Sequence, residues 1–241
     1  VDMITGRIVK AEALLRWVHP EQGNIGPSSF IPIAEETGAI HEIGNLVFKE
    51  AVQHLKQWRR DYDPDFQVSI NKSPVQFMKE SHEHEDLVGY LDKLGLDGDG
   101  LVIEITEGVV MKMTSTINDK LLRLREAGVQ VAIDDFGTGY SSLAYLKRFD
   151  IDYLKLDRSF VSNLESDTSD MVLSEAIVVM AHKLGFKVIA EGVETRAQHR
   201  ILAQIGCDYA QGFLFSKAVP AAEFELLLQE NNQVCMVGAA G

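Results

Sequence analysis

Seven short stretches rich in β-branched residues each end in a polar side chain: Glu12, Asn71, Glu104, Asp134, Lys155, Glu191 and Gln211. Successive side chains along a strand point to opposite faces. In LVIEIT (101–106), Ile103 and Ile105 then share one face and Glu104 takes the other; in VQVAID (129–134), Val131 and Ile133 oppose Asp134. The same parity puts all seven polar residues on one side, and five of the seven can ionise. Glu12, Glu104, Asp134, Asp135 and Glu191 have only Lys155 to balance them, and carboxylates held that close cannot all stay ionised without a cation. Oxygen donors plus one Asn amide suit a hard divalent ion such as Mg2+ or Mn2+. No His or Cys stands at a strand end, which argues against a zinc site of the usual kind. The adjacent pair Asp134 and Asp135 fits two ions that clamp the attacking and leaving oxygens of a phosphoryl displacement.

Such a ring needs a scaffold that gathers the ends of many strands. The β-branched runs IVKAEALL, FQVSIN, LVIEIT, VQVAID, DYLKLD, KVIAE and DYAQGFLF alternate with segments of helical spacing. In 39–60, Ile40, Ile43, Val47, Ala51, Leu55 and Trp58 form one apolar stripe, and in 114–127 Ile117, Leu121 and Leu124 form another. Segments 168–184 and 195–205 read as helices too, the latter opened by a Thr195–Gln198 capping box. Alternating βα units predict a parallel sheet covered by helices. The expected fold is α/β, a (βα)8 TIM-like barrel whose chemistry lies at the carboxyl ends of its strands. An open doubly wound sheet is the alternative. Thr5-Gly6 marks a hairpin at the start, so the first strand is modified and begins before Val1, bringing the count to eight. Residues 1–228 form the domain, and 229–241, which lack periodicity, are expected as a linker or frayed tail.

Composition narrows the function. Across 241 residues, 23 Lys and Arg face 36 Asp and Glu, a formal charge of −13. That balance opposes binding to a nucleic-acid polymer, which runs on cationic side chains neutralising phosphates. Apolar stretches such as AIVVMA (176–181) are too short to span a bilayer. Cys207 and Cys235 are the only cysteines, too few for a disulfide framework, so a reducing cytosol is expected, or the cytoplasmic part of a membrane-anchored protein.

The strings EALLRW (12–17), SINKSP (69–74), EITEG (104–108), DDFGTGYSSL (134–143), YLKLD (153–157), AEGVET (190–195) and QGFLFS (211–216) resemble, in order and spacing, the EAL-domain cyclic di-GMP phosphodiesterases. The resemblance implies hydrolysis of one phosphodiester bond of cyclic di-GMP to linear pGpG with Mg2+ or Mn2+, two ions per site, and inhibition by Ca2+. It implies that Glu12, Asn71, Glu104 and Asp134 hold the first metal and that Asp135 completes the second, with Asp134 bridging. Glu191 and Lys155 would orient and deprotonate the attacking water, either being the base. Arg16, Leu14 and Gln211 would contact substrate, and Glu107 would anchor the loop that follows Asp134. The same resemblance implies a homodimer through residues 136–147 and upstream sensory or cyclase domains.

Two departures stand out: Gly108 replaces a Ser, and Lys72 follows Asn71 where an apolar residue is usual. Neither is one of the metal-ligand positions. The rival is a catalytically silent receptor that binds cyclic di-GMP without cutting it. Loss of metal ligands marks that class, and here every ligand position is filled, which favours catalysis. DFG at 135–137 lacks the glycine-rich loop and HRD loop of a kinase and is a chance match.

Overall fold

The structure, a computed structural model, describes residues 1–78, 83–111, 115–137, 150–165 and 168–238. Seven strands build one parallel sheet in the order β1 (Lys10–Ala13), β4 (Gln67–Asn71), β5 (Leu101–Thr106), β6 (Gln130–Phe136), β7 (Tyr153–Leu156), β8 (Lys187–Ala190), β9 (Tyr209–Ala210). Except for one excursion, the spatial order is the chain order, as expected for a barrel in which each strand is laid beside the last. The excursion is a two-stranded antiparallel hairpin, β2 (Trp17–His19) with β3 (Gly23–Ile25), which directly follows β1 and carries no signal in the sequence strong enough to anticipate it.

The edges of the sheet are joined by the first residues of the chain. Val1 O accepts from Ala210 N at 2.9 Å and Met3 N donates to Asp208 O, so these residues run antiparallel to β9. Asp2 N then bonds Arg7 O across the Thr5-Gly6 turn, and the chain leads into β1. The expected hairpin start is present, with the eighth place taken by a single antiparallel bridge rather than a full strand.

Helices cover the outside. α1 (Pro27–Thr37) and α2 (Ile40–Asp61) precede β4; α3 (Pro74–Met78) and α4 (Glu83–Leu94) precede β5; α5 (Glu107–Met111) and α6 (Ser115–Glu126) precede β6. After β7 come α7 (Arg158–Ser162) and α8 (Thr168–Leu184), after β8 comes α9 (Arg196–Gln204), and α10 (Ala221–Gly238) closes the order. Ile40, Ala51, Leu55 and Trp58 of α2 and Ile117, Leu121 and Leu124 of α6 are buried, the stripes read from the sequence. The Thr195–Gln198 capping box opens α9. None of the described helices is long and apolar enough to cross a membrane.

The core is split by strand parity. Ile103, Ile105, Val131, Ile133, Leu154, Leu156, Val188 and Ala190 join the large cluster under the helices. Val102, Ala132, Tyr153 and Ile189, one residue out of step, form a separate small cluster with Tyr209 on the inner side of the sheet. The next inward residues toward the carboxyl ends are Glu104, Asp134, Lys155, Glu191 and Gln211, so the inner apolar layer is a floor on which the polar residues stand.

α10 (Ala221–Gly238) runs through residues 229–238, the segment that lacks periodicity in the sequence. Polar side chains dock this helix: Asn231 accepts from Ile8 N at 2.8 Å and donates to Gly6 O at 3.0 Å, and Glu225 accepts from the Trp58 indole at 3.1 Å. Its first turns also carry apolar contacts, Phe224 against Trp58 and buried Leu228, whereas 229–233 read QENNQ, which is why that stretch shows no apolar periodicity. Most of the 136–147 segment expected at a dimer contact lies outside the described residues.

Candidate metal centre at the carboxyl ends of the strands

Each strand delivers its polar residue to the same mouth, and Lys155 stands at the centre. Its ammonium lies 2.6 Å from Glu104, 2.7 Å from Glu191, 3.0 Å from Asp134 and 3.6 Å from Glu12, with 1% of the side chain exposed. Amides tie the outer members of the ring. Asn71 Nδ2 donates to Glu12 Oε1 at 2.7 Å, and Gln211 Nε2 donates to Glu12 Oε2 at 2.8 Å and to Glu191 Oε1 at 3.1 Å. Because Gln211 follows β9 and Glu12 lies in β1, that contact spans the two edges of the sheet.

Asp134 and Asp135 are neighbours, so plain alternation would send one of them toward the helices. The register between β6 and β7 shifts between Ile133 and Phe136, and Asp135 has φ +54°, the left-handed region that Asp tolerates better than most non-glycine residues. This bulge turns both carboxylates to the mouth. One oxygen from each of Asp134, Asp135 and Glu191 lies within 4.8 Å of the others. The donor set is all oxygen and acidic, as a hard divalent cation requires.

The protonation of the ring shows what it lacks. Burial pushes the Lys155 ammonium down, but Glu104, Glu12, Glu191 and Asp134 outweigh it and hold its pKa well above the ordinary value. Burial pushes Glu104 up to about 8, the nearby Glu12 and Asp134 charges adding to it while Lys155 opposes. Glu191 is pushed up to about 7, again by burial first, then by the carboxylates against Lys155. Glu12 moves the other way: burial is outweighed by Lys155 and by the Gln211 and Asn71 amides, and its pKa falls. Asp135 is raised by burial, Asp134 and Asp157. One ammonium among four touching carboxylates leaves a deficit of positive charge, so protons are retained. A divalent cation at Asp134, Asp135 and Glu191 supplies that charge, and in this sense the residues fit a metal.

The remaining residues fall around the ring. Glu107 is buried and accepts from Gly137 N at 3.4 Å with Oε2, while its other oxygen has no hydrogen-bond partner among the described residues. Arg16 is exposed and donates to Leu15 O at 3.0 Å; Leu14 is 45% exposed at the end of β1. Both follow the carboxyl end of β1, and the Arg16 hydrogen bond goes to backbone rather than to the carboxylate ring. Gln211, expected as a substrate contact, spends its amide on two carboxylates. A Cβ on Gly108 would stand 4.0 Å from Thr106 Oγ1, an ordinary contact, so the departure there relieves no clash. Asp157 goes unnoticed in the sequence, although its parity matches that of Lys155; it caps α7 through Ser159 N at 2.9 Å and faces Asp135 electrostatically.

Comparison with known proteins agrees with the strand-end pattern. The EAL domain profile matches residues 1–218. The bifunctional diguanylate cyclase/cyclic di-GMP phosphodiesterase MucR of Pseudomonas aeruginosa is 40% identical over 222 residues, covering 90% of this chain and 32% of MucR. The cyclic di-GMP phosphodiesterase NbdA of the same organism is 40% identical over 224 residues, covering 93% of this chain and 28% of NbdA. The chain therefore spans about a third of the length of these relatives. Among solved structures, the MucR phosphodiesterase in complex with c-di-GMP superposes with a TM-score of 0.83 at 40% identity, covering 88% of this chain and 86% of that one. The EAL enzyme Bd1971, bound to cAMP and cyclic di-GMP, gives 0.89 at 35% identity, covering 95% of this chain and 62% of that one. A mouth of strand-end carboxylates, a curled parallel sheet and a profile match along most of the sequence all lead to one family, and this chain belongs to it: the EAL domain family.

Proposed function

We propose that this chain hydrolyses one phosphodiester bond of cyclic di-GMP to linear pGpG, with Mg2+ or Mn2+ as the required cation. The observation that carries the reading is the gathering of Asp134, Asp135 and Glu191 within 4.8 Å beside a ring that is short of positive charge. The names of MucR and NbdA support the substrate. Asp134 and Asp135 would hold metal, with Glu12, Asn71 and Glu104 completing the donor set and Glu191 beside it. Bound there, a divalent ion neutralises phosphate charge and acidifies a water.

The protein's own residues divide the remaining work. Water attacks phosphorus, the bond from phosphorus to the 3′-oxygen breaks, and the departing oxygen takes up a proton. Glu191, beside the cation that Asp134 and Asp135 would hold, is the residue we assign as the base that takes the proton from water. Lys155, held as an ammonium, cannot accept it; it fixes Glu104, Glu191 and Asp134 in place. Gln211 and Asn71 orient Glu12 and Glu191, and Arg16 and Leu14 line the approach for substrate.

The test is product analysis after incubation with cyclic di-GMP in Mg2+, in Mn2+ and in chelator. Release of pGpG that depends on the cation is the expected outcome, with Ca2+ competing but supporting little turnover because its looser coordination misplaces the water. Binding without product would assign the chain to the silent receptors, and absence of binding would reject the reading altogether.

A further inference from the structure

The geometry points to Arg158 as a positioning residue: its aliphatic stem is a strap that presses the backbone after Glu191 into the conformation that aims that carboxylate at the mouth. The inference rests on the functional reading above. Glu191 opens the loop that leaves β8, and the next residue, Gly192, has φ +66°. A Cβ built on Gly192 would stand 2.5 Å from Arg158 Cγ, 2.9 Å from its Cβ and 3.0 Å from its Cδ. The arginine stem thus occupies the room that any side chain at 192 would need. Its guanidinium continues along the loop and meets Glu194 Oε1 at 3.0 Å, so the side chain runs alongside residues 192 to 194.

The opposite side of the same loop is also held. Val193 N donates to Gln211 O at 3.1 Å and Val193 O accepts from Leu214 N at 2.9 Å. A Cβ on Gly212 would lie 2.2 Å from Val193 O, so the 211–214 turn abuts the loop. Glu191 N bonds Leu156 O at 3.0 Å, which fixes the loop to the end of β7, immediately before Asp157 and Arg158. Between the arginine stem on one flank and the 211–214 turn on the other, the loop has little freedom, and Glu191 inherits that rigidity.

Magnitudes decide which part of Arg158 acts. Its side chain is 63% exposed and that of Glu194 43%, so the ion pair is screened by solvent and contributes little. Packing of the stem against Gly192 is the larger effect, as a long cationic side chain covers apolar and backbone surface with its methylenes.

The experiment compares R158A, which removes the stem, with R158M, which keeps it and drops the charge. Turnover of cyclic di-GMP in Mn2+ and amide hydrogen exchange of residues 191–195 are measured on each. R158A is expected to lower kcat by about tenfold with KM changed less than about twofold, because a displaced catalytic group costs rate rather than binding. Exchange in 191–195 should rise in R158A and stay at the wild-type level in R158M, whose kcat should lie within about twofold of wild type. If R158M falls as far as R158A, the guanidinium itself acts and the strap is wrong. Wild-type exchange in R158A would overturn it as well. A wild-type protein that binds or turns over nothing would sink the functional reading alone; exchange in 191–195 would then decide the strap, in favour if R158A speeds it and against if it does not.

Discussion

Two lysines stand on the inner side of the same sheet, and their surroundings drive them in opposite directions. Lys155, at the carboxyl ends of the strands, is ringed by four carboxylates and is held charged. Lys10, at the other end, lies 3.9 Å from the centre of the Tyr153 ring and 4.9 Å from that of Tyr209, and bonds the Gln67 amide oxygen. Gln67 and Gln130 oxygens accept from the Tyr153 hydroxyl at 3.0 Å each, which makes a polar but uncharged layer. There burial, aided by Lys187 and opposed by Asp152, pulls the Lys10 ammonium down to about 7. Burial acts on both lysines with the same sign. The difference lies in what else faces the axis: a ring built to hold cations keeps its lysine ionised, and a plug of amides and aromatic rings does not.

Removing the cation from the acidic end should break that comparison most severely. Lys155→Met leaves Glu104, Glu191, Asp134 and Glu12 without their counter-charge, and loss of one partner of a buried ion pair costs about 3–5 kcal/mol. Melting curves should show a large loss without metal that Mn2+ recovers in part, by a greater margin than in wild type; an equal response to Mn2+ would contradict the central role given to Lys155. Asp134→Asn comes next. Turnover should be lost and calorimetric Mn2+ binding weakened, while the melting temperature without metal stays the same or rises, because one repelling charge is gone. Near-normal rates would remove Asp134 from the metal site.

At the other end the sign reverses. In the unfolded chain a lysine titrates near about 10.4, whereas Lys10 in the folded chain titrates at about 7. Between those values the unfolded state binds a proton that the native state has lost, so stability rises with pH across the window; below it, the folded state carries the full cost of a buried ammonium. Lys10→Met should therefore raise the melting temperature by several degrees at pH 7, with the advantage shrinking toward pH 10. A difference between the two proteins that is flat with pH would mean that Lys10 is solvated. Tyr153→Phe should produce the smallest change, about 1 kcal/mol lost in denaturant melts, since it removes one hydroxyl and leaves two amide oxygens that have other donors or access to water.

Much of the acidic end was legible in the sequence because period-two alternation is strict: once Ile103 and Ile105 are assigned to the helices, Glu104 can only face inward. The uncharged end was not. Lys10, Gln67 and Gln130 open their strands, and a polar residue at the start of an apolar run reads as a loop boundary. Alternation also fails where the backbone departs from it, and nothing in the letters DD announces the bulge that turns Asp135 beside Asp134. The β2–β3 hairpin escaped because strands of three residues are too short to show a period, and the length of α10 because its apolar residues Phe224 and Leu228 are followed by the polar run QENNQ. The central place of Lys155 follows from the convergence of four strands, which no single string contains.

The left-handed backbone at Asp135 carries its own consequence. A saturation library at this position would be filtered twice, first by torsion and only then by charge: Gly and Asn would fold without the carboxylate, whereas Val or Ile would distort the strand end and drag Asp134 with it. An inactive variant at 135 is thus informative only when its replacement is comfortable at positive φ, and Asn is the substitution that isolates the chemistry.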